Sequence, residues 1–273
     1  MIETAIQAAL KAGQAILEIY AKDFEVEFKA DESPLTSADK AAHHIIVEAL
    51  ASTPYPVLSE ESAEVGFEER CGWTKYWLVD PLDGTKEFIK KNGEFTVNIA
   101  LIEDGVPVAG VVYVPVKDTL YVGSGKGAQK ATECAGKSVE EILATAAVCS
   151  VSGQAQTPLR VVASKSHCND ETRRFIAELE AEFGAVDLVS SGSSLKLCMV
   201  AEGSADLYPR IAPTMEWDTA AAHAVVAAAG GRVLQYDETV AAVGYRTGTD
   251  AVADVAYNKE NLLNPYFVVT GLR

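Results

Sequence analysis

The segment YWLVDPLDGTKEF, residues 76–88, constrains this chain more than any other. Trp77, Leu78 and Val79 form an apolar run suited to a buried strand. That run delivers the chain to two carboxylates, Asp80 and Asp83, three residues apart. Pro81 cannot donate to a sheet ladder, so the strand is predicted to end at Asp80. Gly84 permits a turn that other residues resist. Two carboxylates this close repel each other unless one is protonated or a cation lies between them. Taken alone, a solvated Asp-Gly hairpin turn explains the segment equally well. A calcium EF-hand loop does not, because its third, sixth and twelfth positions would be Leu82, Thr85 and Lys91. The segment has no histidine or cysteine, so every candidate ligand is an oxygen, the Leu82 carbonyl included. Such a set suits Mg²⁺ or Mn²⁺ over zinc.

Acids recur at the ends of other apolar elements. VLSEES closes a short strand with Glu60 and Glu61, LTSAD places Asp39 in the first turn of a helix, and EWDTAAAH places Asp218 at the start of another. Helix capping and the helix dipole explain Asp39 and Asp218 singly. The recurrence is what one shared cation site would produce, and active sites of α/β proteins collect at such ends.

Around these positions the chain reads as alternating elements. A helix over about 2–21 directs Ile2, Ile6, Leu10, Ile16 and Leu17 inward. FEVEFK, YPVLSEE and KYWLVD read as strands, and FTVNIALIEDGVPVAGVVYVP as two strands joined at Glu103-Asp104-Gly105. Residues 123–157, rich in Gly, Ala and Ser, are expected to hold the joint between an α+β half (1–134) and an α/β half (135–273). In the second half LRVVASKSH and ADLYPR read as strands, and DETRRFIAELEAEFG, LKLCMVAEGS and WDTAAAHAVVAAAGG as helices.

Composition limits the partners. A net charge of −16 repels nucleic acid polymers and anionic lipid at long range. No apolar run reaches the ~18 residues of a membrane span, so at most a peripheral membrane association is expected. The five cysteines form no C-x-x-C pair, which predicts reduced thiols in a cytoplasmic protein.

DPLDGT, the upstream LSEE and the downstream WDTAAAH resemble the three signature segments of the inositol monophosphatase superfamily, Mg²⁺-dependent and Li⁺-sensitive phosphatases. The extension KEFIKKNGEFTVNIALIEDGVPVAGVVYVPV, with SPLTSAD, SKSH, GSSLK, AEGSADLYPR and LLNPYFVV, is similar to its bisphosphate nucleotidase branch; about 117–158 is not matched. The resemblance implies a layered αβαβα sandwich with the metals between the two halves. It implies that Glu60, Asp80 and the Leu82 carbonyl hold one Mg²⁺. Asp80, Asp83 and Asp218 would hold a second, and Mn²⁺ would substitute. Asp39 paired with Thr85 would activate a water, with Glu60 alongside. Gly84, Thr85, His167, Ser193, Lys196 and Arg210 would face the substrate, Arg210 at its second phosphate, together with Glu60, Leu82, Asp83 and Asp218 of the metal set. The implied reaction removes the 3′-phosphate of adenosine 3′,5′-bisphosphate, and of its sulfated form, in sulfate assimilation and nucleotide recycling. Inositol monophosphatase or fructose-1,6-bisphosphatase activity is the alternative enzyme reading, and a silent metal- or nucleotide-binding regulator the non-enzymatic one. Glu216, two residues before Asp218, is expected to add an acid close to the metals. His43, His44 and His223 receive no role.

Overall fold

The computed structural model describes residues 1–28, 34–62, 65–163, 169–247 and 252–272. The first part of the chain comprises α1 (Ile2–Tyr20), β1 (Val26–Phe28), β2 (Pro34–Thr36), α2 (Ser37–Leu50), β3 (Val57–Ser59), α3 (Phe67–Arg70), β4 (Lys75–Asp83) and α4 (Thr85–Ile89). It continues through β5 (Thr96–Glu103), β6 (Val106–Val114), β7 (Thr119–Ser124), β8 (Gly127–Thr132), α5 (Val139–Thr145) and β9 (Ala147–Cys149). The second part comprises β10 (Leu159–Val162), α6 (Asp170–Phe183), β11 (Val186–Val189), α7 (Leu195–Ala201), β12 (Leu207–Arg210), α8 (Glu216–Ala228), β13 (Arg232–Gln235) and β14 (Phe267–Thr270).

Strands β3 to β9 form one seven-stranded sheet in sequence order, with only β3 and β4 parallel. A five-stranded sheet runs β11-β10-β12-β14-β13. Helices α1 and α2 cover one face of the larger sheet, and α8 lies across the other. Helix α7 joins α8 to the smaller sheet, whose far face carries α6. The result is the layered αβαβα sandwich.

Covering the larger sheet on both faces explains why its strands read as unbroken apolar runs. Along β5, Val97, Ile99 and Leu101 enter the core beneath α1 and α2, while Ala100 and Ile102 enter the core shared with α7 and α8. On α1 the buried stripe is built largely from Ala5, Ala8, Ala9 and Ala12 with Ile6 and Ile16; Ile2, Leu10 and Leu17 are only half-buried. Small residues let this helix approach the sheet closely.

The stretch 123–157 is not simply a joint. It supplies the end of β7, then β8 and β9, which complete the larger sheet, with α5 between them, and only its last part lies between the sheets. Its compositional bias has no bearing on hydrogen bonding, and an edge of a sheet tolerates small and polar residues.

α8 meets the sheet at two glycines. A Cβ on Gly110 would lie 2.1 Å from the Ala221 carbonyl oxygen, and one on Gly123 2.5 Å from Val225 Cα. Both obstructions are backbone, so the helix itself would have to move. Gly110→Ala is expected to cost about 1–3 kcal/mol, lowering Tm by roughly 3–10 °C. A thermal melt checks this; an unchanged Tm would mean that α8 can shift freely over the sheet.

Candidate active site

The site begins with a register shift in β4. Tyr76 and Leu78 face the α7/α8 core, whereas Trp77 and Val79 face the α1/α2 core. By this alternation Asp80 faces α8, and Asp83 would face the opposite side. It does not, because Asp80 pairs with Asn98 while Asp83 pairs with Thr96: three residues are traversed on β4 for two on β5. The extra residue of this bulge reverses the alternation. Leu82 falls into the α1/α2 core, and Asp83 rejoins the face of Asp80. The strand thus continues beyond Pro81 to Asp83 instead of ending at Asp80.

One carboxylate oxygen from each of Asp80, Asp83 and Asp218 lies within 4.8 Å of the others. Asp80 is 1% exposed, and its Oδ1 accepts a hydrogen bond from Leu82 N at 3.0 Å. Asp83 Oδ2 accepts from Ser194 N (2.7 Å), Ser194 Oγ (2.8 Å) and Thr96 Oγ1 (3.4 Å). Asp218 Oδ2 accepts from Met215 N at 2.8 Å, at the start of α8. Glu60 opens the 3-10 turn after β3, close enough for its charge to act on Asp80 and Asp218.

Burial, then the charges of Glu60, Asp83 and Asp218, push Asp80 well above the usual carboxylate range. Burial and then the Asp83 charge do the same to Asp218. Acids crowded until they resist ionisation are a strained arrangement that a bound cation relieves. The donors are all hard oxygens, which fits Mg²⁺ or Mn²⁺.

Asp39 serves two purposes because a carboxylate has two oxygens. Its Oδ2 accepts from Thr36 N (2.8 Å) and Thr36 Oγ1 (2.6 Å) in a capping box that starts α2. Its Oδ1 accepts from Thr85 Oγ1 at 3.2 Å. The ordinary capping explanation and the site assignment are therefore compatible. Burial raises its pKa against the lowering effect of the Thr36 bonds.

Beside the aspartates opens a cleft of ≈ 320 Å³, with Asp83 and Asp218 in its lining, along with Lys196, Tyr208 and Arg210. Lys196 is 8% exposed. Its ammonium lies 3.4 Å from the Ser191 carbonyl oxygen and over the Tyr208 ring. Burial lowers its pKa to about 8, opposed by Asp83 and aided by Arg210. Arg210 donates from Nη2 to the Pro213 carbonyl at 2.9 Å, while its buried Nε has no partner among the described residues. Ser193 also lines the cleft, its Oγ 2.8 Å from the Glu94 carbonyl and 3.0 Å from that of Asp83. Gly84, at φ +94°, leaves room for that hydroxyl: a Cβ there would stand 2.2 Å from Ser193 Oγ. His167 lies outside the described residues.

Two expectations about individual side chains change. Glu216 is fully buried and turned toward other partners, accepting from Asn258 N, Lys259 N and Lys259 Nζ, so its charge is neutralised there. Its position beside Asp218 in sequence misleads because successive helical residues point about 100° apart. His43, given no role, holds Ser59 Oγ through Nδ1 at 2.9 Å, directly beside Glu60. Its spacing of four from Asp39 was the available signal. His223 packs against Tyr257, 3.0 Å from its hydroxyl, and burial drops its pKa to about 4. By its sequence position Ser194 reads as an ordinary helix cap, yet its side chain makes no capping bond to α7 and turns to Asp83 and the Asp218 carbonyl instead.

The profile of the inositol monophosphatase family matches residues 1–266. The 3′(2′),5′-bisphosphate nucleotidase CysQ of Salmonella typhimurium is 46% identical over 274 residues, covering 99% of this chain and 99% of that protein. CysQ of Escherichia coli O157:H7 is 49% identical over 237 residues, 85% of this chain and 89% of that one. Among solved structures, CysQ from Bacteroides thetaiotaomicron, a bacterial member of the same family, superposes with a TM-score of 0.82 at 50% identity, covering 98% of this chain and 95% of that one.

Proposed function

The chain belongs to the inositol monophosphatase family, and from that premise we propose that it is a phosphatase removing the 3′-phosphate of adenosine 3′,5′-bisphosphate. The sulfated nucleotide is a further substrate in this reading, and the setting is the cytoplasm, in sulfate assimilation and nucleotide recycling. The observation that carries the proposal is the single cleft that brings Asp83 and Asp218 together with Lys196 and Arg210. A substrate with one phosphate would leave this cationic end unused; a bisphosphate occupies both ends. The names of the similar nucleotidases support the same substrate class.

We assign Asp80, Asp83 and Asp218, with Glu60 and the Leu82 carbonyl, as ligands for two or more Mg²⁺ ions. When bound, these would neutralise the acids, polarise the scissile phosphate and lower the pKa of a water. Thr85 and Asp39 then manage the proton. A water donating to Thr85 Oγ would pass its proton through the hydroxyl, which can give up its own proton to Asp39 Oδ1, 3.2 Å away. The two bonds from Thr36 fix the Asp39 carboxylate, and its raised pKa makes it a stronger base. Arg210 would pair the second phosphate through a planar fork, with Lys196 adding a point charge.

Asp39→Asn should lower kcat by about 10²–10³-fold, since an amide cannot take the proton, while its one oxygen can keep the Thr36 N bond that starts α2. Its Mg²⁺ affinity, read by calorimetry, should stay close to that of the parent. Phosphate release from adenosine 3′,5′-bisphosphate, inositol 1-phosphate and fructose 1,6-bisphosphate tests the reading as a whole. Preference for the nucleotide supports it. Preference for inositol 1-phosphate or the sugar would overturn the assignment of Lys196 and Arg210, and turnover of none would leave a binding protein.

A further inference from the structure

Asp83 is held chiefly by one residue that belongs to neither its strand nor its sheet. Ser194 reaches Asp83 Oδ2 twice, through its backbone N–H at 2.7 Å and its hydroxyl at 2.8 Å. The same hydroxyl lies 2.7 Å from the carbonyl oxygen of Asp218 and receives a hydrogen bond from Asn98 Nδ2 at 2.8 Å. Ser194 is 1% exposed, and Asn98, also buried, is the β5 partner of Asp80. One hydroxyl thus touches the side chain of one aspartate, the main chain of a second and the cross-strand neighbour of the third.

Resting on the cation-site reading above, we infer that Ser194 is a positioning residue, oriented by Asn98, which fixes the Asp83 carboxylate relative to Asp218. The physical case has two parts. Asp83 is half-buried at the end of a bulge, where no regular ladder dictates its rotamer. Engaging Oδ2 with both Ser194 donors fixes the plane of the carboxylate and leaves Oδ1 available to a cation shared with Asp80 and Asp218. Asp83 comes from the larger sheet and Asp218 from α8, so their spacing depends on how the layers dock. A hydroxyl hydrogen-bonded at that junction makes the spacing a local property. The hydroxyl carries one proton, so Asn98 matters: by donating to Ser194 Oγ, its amide leaves that proton to point at Asp83 or the Asp218 carbonyl.

Ser194→Ala removes the hydroxyl and keeps the backbone N–H bond to Oδ2. Outer partners of metal ligands typically contribute 10–100-fold to metal affinity. Calorimetric or Mn²⁺ resonance titration of the purified protein, without substrate, should therefore show a loss of about tenfold or more. At saturating Mg²⁺, KM for adenosine 3′,5′-bisphosphate should move less than about twofold, because Lys196 and Arg210 are untouched. Ser194→Thr restores the hydroxyl and should recover most of the affinity. Asn98→Ala, which leaves Ser194 in place, should lose about two- to fivefold and supplies a second test if Ser194→Ala does not fold. Metal affinity equal to the parent in either truncation variant, with the fold intact by circular dichroism, overturns the proposal. If the parent protein itself binds neither Mn²⁺ nor Mg²⁺, the cation-site reading falls and the proposal with it.

Discussion

Asp80→Asn should abolish phosphatase activity and at the same time make the metal-free protein more heat-stable. The loss should reach at least ~10³-fold in kcat/KM, because Asp80 is the one fully buried carboxylate of the three that converge. The gain in stability follows from the electrostatics. Asp80 titrates well above its ordinary value in the folded protein, through burial first and then Glu60, Asp83 and Asp218. The folded state therefore holds a proton that the unfolded chain has released. Stability on this account is complete below the unfolded carboxylate pKa of about 3.9. It is lost as pH rises through the elevated folded-state value. The isosteric amide has no charge to lose, and its carbonyl still accepts from Leu82 N. Each pKa unit of elevation is worth about 1.4 kcal/mol, and each kcal/mol about 2–4 °C in Tm. Melts in chelator should show variant and parent together near pH 4 and the variant several degrees higher near pH 8. Adding Mg²⁺ should reverse the order, since only the parent gains binding free energy, about 2.7 kcal/mol at a hundredfold excess over Kd. A variant that is no more stable than the parent at pH 8 would mean that the crowded acids carry no penalty, and so need no cation.

Arg210→Ala should raise KM for adenosine 3′,5′-bisphosphate by about 10–100-fold, from the loss of a charge-assisted bond worth 1.5–3 kcal/mol. With nucleoside 3′-monophosphates, which lack the second phosphate, the same change should matter little. The buried Nε of Arg210, unpartnered among the described residues, motivates this, since a buried donor left unpaired is costly and a phosphate oxygen would satisfy it. Lys196 adds a pH dependence of definite sign. Its pKa of about 8 means that the ammonium loses its charge as pH rises through that value, so KM for the bisphosphate should climb above pH 8. Removing a nearby cation reduces the repulsion that Lys196 feels, so Arg210→Ala should shift this limb upward. Equal effects on mono- and bisphosphates would place the second phosphate elsewhere.

Much of this molecule was legible in its sequence because local rules dictated it. The strand containing Trp77 to Val79, the helices beginning near Asp39 and Asp218 and the turn at Gly84 all follow from side-chain periodicity, capping and glycine's backbone freedom. The oxygen-only chemistry of the segment around Asp80 likewise needs no fold to be read. Other features depend on which chain segments meet. The bulge that turns Asp83 back to the face of Asp80 is a difference between two strands' registers, and neither strand encodes it alone. The completion of the larger sheet by β8 and β9 is a pairing across an edge. Glu216 and Asp218, close in sequence, part company because a helix sends them to different sides, and Glu216 meets Lys259 there. Ser194 and Asp83 are 111 residues apart and meet only where the residue preceding α7 reaches the end of β4. The sequence by itself determined the elements and the kind of chemistry, since both reside in single residues and short repeats. Only the tertiary structure decided which carboxylates converge and what holds them, because those are distances between segments that share no local rule.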